Sequence, residues 1–157
     1  MKSSYQTALL ISKEDYGLGE SSGQRLWKSQ LPNKIKVFGW RVCQDILPTR
    51  ENLASTCGLC RQNTESVLHV MWECGVAQDV WAASRICLQK CARSQSDILQ
   101  LVEDLMDRLT ANELELFLVQ CRIIWNQRNL VMHGGVIQDP NRLHKPAEDF
   151  LKEYRQA

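Results

Sequence analysis

Cys57, Cys60, His69 and Cys74 form the pattern C-x2-C-x8-H-x4-C within one short segment. Three thiolates and an imidazole are the donors of a closed tetrahedral zinc site, with Zn–S near ~2.3 Å and Zn–N near ~2.0 Å. Two cysteines separated by two residues make a tight turn that aims both sulfurs at one point. Gly58 suits such a turn because it carries no Cβ. His69 and Cys74 lie more than one helical turn apart, which places the histidine on a helix face and the cysteine just past the helix end. Four protein ligands leave no position for water, so the expected ion is one structural Zn2+ and not a catalytic one. The competing reading is a set of ordinary buried cysteines; the spacing favours zinc.

The elements that must present these donors read as helices. Residues 3–11 form a short one, with Tyr5, Ala8, Leu9 and Ile11 on its apolar side and Ser3 or Ser4 as its cap. Residues 13–25 hold Gly17, Gly19 and Gly23 among polar side chains and read as a flexible loop. That loop has no G-x-x-x-x-G-K-[ST] pattern and therefore no phosphate-binding signature. Pro32 suits a helix start. Ile35, Phe38, Val42 and Ile46 recur at three- and four-residue steps as a buried stripe, and Leu47-Pro48-Thr49 ends the helix. Thr49 then caps a short helix through Leu53. Thr64 or Ser66 begins a helix that carries His69, and Gly75 breaks it after Cys74. Further helices hold Val76, Val80, Trp81 and Ile86, and then, from a cap at Ser96 beyond a loop at residues 92–95, Ile98 to Leu109. Thr110 and Glu113 form a capping box that opens the longest helix, ending near His133 before Gly134-Gly135. Pro146 begins the last helix. Strand signals are nearly absent. The expected fold is mainly α: a small multi-helix domain organised around a structural Cys3His zinc site.

The chain has 157 residues, 44% hydrophobic and 24% charged, with a formal net charge of +1. This composition is that of a globular protein, and the near-zero charge carries no global sign of nucleic-acid binding. Basic residues nevertheless gather between Arg25 and Arg61. Lys34, Lys36, Arg41, Arg50 and Arg61 are the candidate phosphate contacts, although a solvated face would look the same. Trp27 and Trp40 could stack on unpaired bases or pack in the core. Four cysteines remain beside the zinc set, Cys43, Cys87, Cys91 and Cys121, and read as free thiols in an intracellular chain. No run approaches the roughly 18 apolar residues of a membrane span, and no signal peptide is evident, so cytoplasm or nucleus is the expected location. His133 and His144 stand alone, and no paired carboxylates could hold two catalytic metal ions. No catalytic site and no small-molecule substrate are expected.

Several further stretches share one order: Lys2 to Tyr5, Leu26-Trp27, Leu31 to Arg41, Leu47-Pro48-Thr49 and Asn52-Leu53, then Glu65-Ser66 before His69 and Val80-Trp81 after Cys74. Together with the zinc set they resemble the zinc-binding domain of reverse transcriptases in plant non-LTR retrotransposons. The resemblance runs from Lys2 to about Trp81. Ile124 to Asn129 resembles the helical segment that leads toward a ribonuclease H-like domain in those polyproteins. The resemblance implies a zinc-binding domain over residues 1–91, with a C-terminal helical extension over 92–157 packing on it. It also implies a stand-alone fragment whose polymerase aspartates and ribonuclease H carboxylates lie outside the chain. Gly39 stands where the pattern often has a larger apolar residue. The expected function is a non-catalytic module binding RNA or single-stranded DNA. The alternative is a domesticated protein-interaction module that binds, inhibits or regulates a protein partner.

Overall fold

The computed structural model describes residues 20–49, 56–85 and 96–157. The expectations for residues 3–11, 13–19 and 50–53, for the loop at 92–95, and for Arg50, Ile86, Cys87 and Cys91 lie outside the described residues. The helices are α1 (Glu20–Lys28), α2 (Asn33–Cys43), α3 (Gly75–Ala83), α4 (Ile98–Arg108), α5 (Ala111–Met132) and α6 (His144–Gln156), with a π-helical turn at His69–Glu73 and a 3-10 turn at Pro140–Arg142. Among the described residues the β-structure is a single antiparallel bridge, Thr56 to Thr64. The mainly helical expectation holds.

The chain forms two compact units that are not consecutive in sequence: Met1–Leu47 with Gln95–Glu115, and Pro48–Ser94 with Leu116–Ala157.

In the first unit Ile35, Phe38, Gly39, Val42 and Cys43 form the buried side of α2, and Ile98, Leu101, Val102, Leu105 and Met106 that of α4. Arg25 donates from Nη2 to the Leu109 carbonyl at 3.2 Å and from Nη1 to that of Met106, satisfying carbonyls at the end of α4 that have no helical partner. Gln30 N–H donates to Glu115 Oε1 at 2.7 Å. Several local expectations change here. The expected loop gives way to helix at Glu20, with Leu26 fully buried on it. Helix α2 stops at Cys43 rather than Leu47, because Asp45 takes a left-handed φ of 55°. Its N–H bonds to Val42 O and that of Ile46 to Arg41 O, a Schellman closure. Ile46 is therefore turned away from the stripe and is 53% exposed. The α4 cap is Asp97, accepting from Gln100 N–H at 2.8 Å, rather than Ser96, whose hydroxyl bonds to Gln100 Oε1.

In the second unit Trp81 stacks on Phe117 with centroids 5.1 Å apart, and its Nε1–H donates to Met71 O at 2.8 Å. The capping box at the start of α5, which belongs to the first unit, holds in both directions, Thr110 N–H to Glu113 Oε2 at 2.8 Å and Glu113 N–H to Thr110 Oγ1 at 3.3 Å. Helix α5 ends in a second Schellman closure, with Gly135 N–H on Leu130 O and Gly134 N–H on Val131 O. Gly134 has φ +84°, and a Cβ on Gly135 would meet the Leu130 carbonyl oxygen at 2.9 Å, so both glycines are required. The last helix begins at His144, two residues before Pro146. Gln120 Nε2 donates to Leu143 O at 3.1 Å, fixing the approach to it.

Candidate metal centre

The segment from Thr56 to Thr64 closes on itself. Cys57 N–H donates to Asn63 O at 2.7 Å and Arg61 N–H to Cys57 O at 2.9 Å, with the Thr56–Thr64 bridge at the base. Within this loop the left-handed residue is Arg61, φ 57°. Gly58 is not in the positive-φ region, so the expectation that it eases the turn by conformational freedom is corrected. Its reason for being glycine is proximity: a Cβ there would meet Met132 Sδ at 2.8 Å.

The expected helix from Thr64 or Ser66 is short. Thr64 serves the bridge, and Ser66 Oγ accepts from His69 N–H at 3.0 Å, which makes Ser66 the cap. From His69 the backbone widens into the π turn, with Cys74 N–H bonded to His69 O at 2.7 Å. Five residues of α-helix would leave side chains ~140° apart around the axis. The wider turn draws His69 and Cys74 toward one side. Gly75 does not break this helix. Cys74, with φ −58° and ψ 136°, is the break, and Gly75 is the first residue of α3.

Sγ of Cys57, Cys60 and Cys74 and a ring nitrogen of His69 all lie within 4.8 Å of one another. The Cys57 and Cys74 sulfurs are 3.9 Å apart, and Cys60 Sγ is 3.3 Å from His69 Nε2. Donors ~2.3 Å and ~2.0 Å from one tetrahedral ion are separated by about 3.8 Å for two sulfurs and roughly 3.5 Å for sulfur and nitrogen. The donor set fits zinc. On the other side of the imidazole, Glu73 Oε2 lies 3.9 Å from Nδ1, the ring atom that faces away from Cys60. Cys57 and Cys74 have no exposed area, His69 is 3% exposed and Cys60 is half-buried.

The electrostatics suit a dication. The hydrogen bond shared with Cys74 pulls the Cys57 thiol well below its ordinary value, helped by the Cys60 and Leu59 amides and opposed by burial. The same contact, with burial, pushes Cys74 up, while the Val76 and Ala77 amides at the start of α3 favour its thiolate. Two thiolates 3.9 Å apart repel by about 4 kcal/mol at an effective dielectric near 20. A bound Zn2+ removes that conflict and links the Thr56–Thr64 loop to the π turn and α3. With all four positions filled by protein, its chemistry is structural.

Glu65 and Arg128 were missed by sequence reading. Glu65 has no exposed area; its Oε2 accepts from Gly58 N–H at 3.3 Å, and its Oε1 accepts from Arg128 Nη2 at 2.5 Å and Nε at 3.2 Å. A signal existed: Arg128 falls four residues after Ile124 and seven after Cys121, on the apolar stripe of α5, where a charge must be paired.

The candidate phosphate contacts among the described residues are divided between the two units. Lys34 and Arg41 are exposed on α2. Lys36 is half-buried, and its Nζ donates to the Trp27 carbonyl at 2.9 Å. Arg61 is exposed immediately after the zinc turn, in the other unit. Trp27 and Trp40 are half-buried.

No solved structure matches this chain. It is 27% identical over 110 residues to an Arabidopsis thaliana protein named "Putative ribonuclease H protein", an alignment covering 64% of this chain and 17% of that protein. Residues 1–81 match the family described as zinc-binding in reverse transcriptase, and the match ends within α3, seven residues beyond the last metal donor. The chain belongs to the family of zinc-binding domains of reverse transcriptases.

Proposed function

We propose that this chain is a non-catalytic, zinc-stabilised module that binds single-stranded RNA or DNA through its basic side chains. The observation that carries the reading is the outer face of α2. Lys34 and Arg41 are exposed there, seven residues or two helical turns apart and therefore on one side. Both fall off the Ile35–Phe38–Val42 stripe that holds the helix in the core. The Lys36 ammonium keeps two of its three donors after bonding the Trp27 carbonyl. Arg61, in the other unit, and Arg50, outside the described residues, are the remaining candidates. A saturated four-donor metal site supports the non-catalytic part of the reading, because such an ion has no open position for substrate.

Salt titration tests it. Three phosphate contacts from Lys34, Lys36 and Arg41 to a single strand give a log–log slope of about −2.1, so affinity for an unstructured oligonucleotide falls roughly 20-fold between 50 and 200 mM salt. Replacing Arg41 with Ala should reduce the slope by about 0.7. Binding that is absent at 50 mM salt, or flat across the titration, overturns the reading and leaves the protein-partner alternative in its place.

A further inference from the structure

Among the described residues Glu65 is the most deeply buried carboxylate, and it belongs neither to the donor set nor to the surface. Taking a carboxylate out of water costs several kcal/mol unless it is paired and hydrogen-bonded. Glu65 has both forms of compensation. Arg128 faces it with Nε at 3.2 and 3.3 Å from its two oxygens and Nη2 at 2.5 Å from Oε1. Arg128 is itself fixed on two further sides, donating from Nη1 to Asn129 Oδ1 at 3.0 Å and lying 4.8 Å from the centre of the Trp125 ring. Glu65 Oε2 also accepts from the amide of Gly58, between the two cysteines of the zinc turn. One turn beyond Arg128, Met132 lies against the Cα of the same Gly58. Trp125, Arg128 and Met132 occur at steps of three and four, on one face of α5.

We propose that Glu65 is a positioning residue for the metal. Locked by Arg128, its carboxylate holds the Gly58 amide and so sets the direction in which Cys57 and Cys60 present their sulfurs. The end of α5, some fifty residues beyond the last metal donor, is then a working part of the zinc unit. A buried ion pair contributes little net stability by itself. Its bond to an amide between two metal ligands is what gives this pair a role that an apolar pair could not fill.

The test uses the full-length chain loaded with Co2+, whose d–d and thiolate-to-metal bands report tetrahedral coordination, alongside Zn2+ release to a chromophoric chelator. Glu65→Gln keeps the shape and one carbonyl oxygen but loses the charge that holds Arg128. At a temperature where helicity is unchanged, we expect Zn2+ release about 10–100-fold faster and altered Co2+ bands, with Arg128→Lys intermediate. A lower melting temperature with unchanged release and unchanged bands overturns the proposal, because the pair would then be structural only. Should Glu65→Gln not fold, Glu65→Gln/Arg128→Met removes both charges together and leaves no uncompensated ion. In that variant, wild-type release overturns the proposal and accelerated release supports it. The proposal rests on the metal reading, and a wild-type chain that takes up no Co2+ overturns both.

Discussion

Gly58→Ala is the sharpest test of how the zinc turn is built. The new Cβ would lie 2.8 Å from Met132 Sδ and 3.7 Å from its Cγ. The backbone at Gly58 is outside the positive-φ region, so alanine is conformationally allowed and by itself lowers the entropy of the unfolded chain, worth about 0.4–1 kcal/mol. Against this stands the overlap with the thioether, since overpacking a filled site costs about 1–3 kcal/mol. The Met132 side chain is flexible and can give way, which places the cost toward the low end. The net expectation is a loss of about 0.5 kcal/mol, or roughly 1–2 °C in melting temperature for a chain of this size. The assay is urea denaturation of the zinc-loaded protein in a double-mutant cycle with Met132→Ala. Met132→Ala loses packing alone, but in its background Gly58→Ala should be neutral or stabilising, a coupling of 1 kcal/mol or more. If Gly58→Ala costs the same in both backgrounds, the thioether contact is not why this residue is glycine.

Four further outcomes follow from the same structure. Native mass spectrometry should find one zinc per chain, and Cys74→Ser should lose it together with thermal stability, as a chelator does to the wild type. Arg61 holds a left-handed φ of 57°; Arg61→Gly should raise stability by about 1 kcal/mol in thermal denaturation. Burial, reinforced by the Glu103 charge, pushes the Cys43 thiol from 9.0 up to about 12. The folded chain therefore holds this proton more tightly than the unfolded one, so the contribution is full below pH 9 and is lost as pH rises toward 12. The urea midpoint should fall across that window more steeply in wild type than in Cys43→Ala. Gly135→Ala brings a Cβ to 2.9 Å from the Leu130 carbonyl and 2.5 Å from its Cδ1, and should cost more than 1 kcal/mol in the same assay.

What could be read along the chain was whatever depends on near neighbours. The C-x2-C turn, the capping box at Thr110, the apolar stripes of α2, α4 and α5, and the glycine stop at Gly134-Gly135 each follow from residues within two helical turns. The same locality gave the metal donors, because Cys57, Cys60, His69 and Cys74 lie within eighteen positions. Where competing local signals were close in strength, the reading slipped by a residue or more. Asp97 won the cap over Ser96, and Asp45 closed α2 before the apolar period ran out. A π turn cannot be told from an α turn by apolar spacing over five residues.

Contacts between distant residues were decided only by the tertiary structure. Glu65 reads only as part of the family pattern, with no role of its own, until Arg128, sixty-three positions away, is laid against it. Gly58 reads as a turn-former until Met132 closes over it. Four sulfur and nitrogen donors are legible in sequence because the chain itself brings them together. The buried ion pair behind them is not, since burial is a property of what packs on a residue and not of the residue.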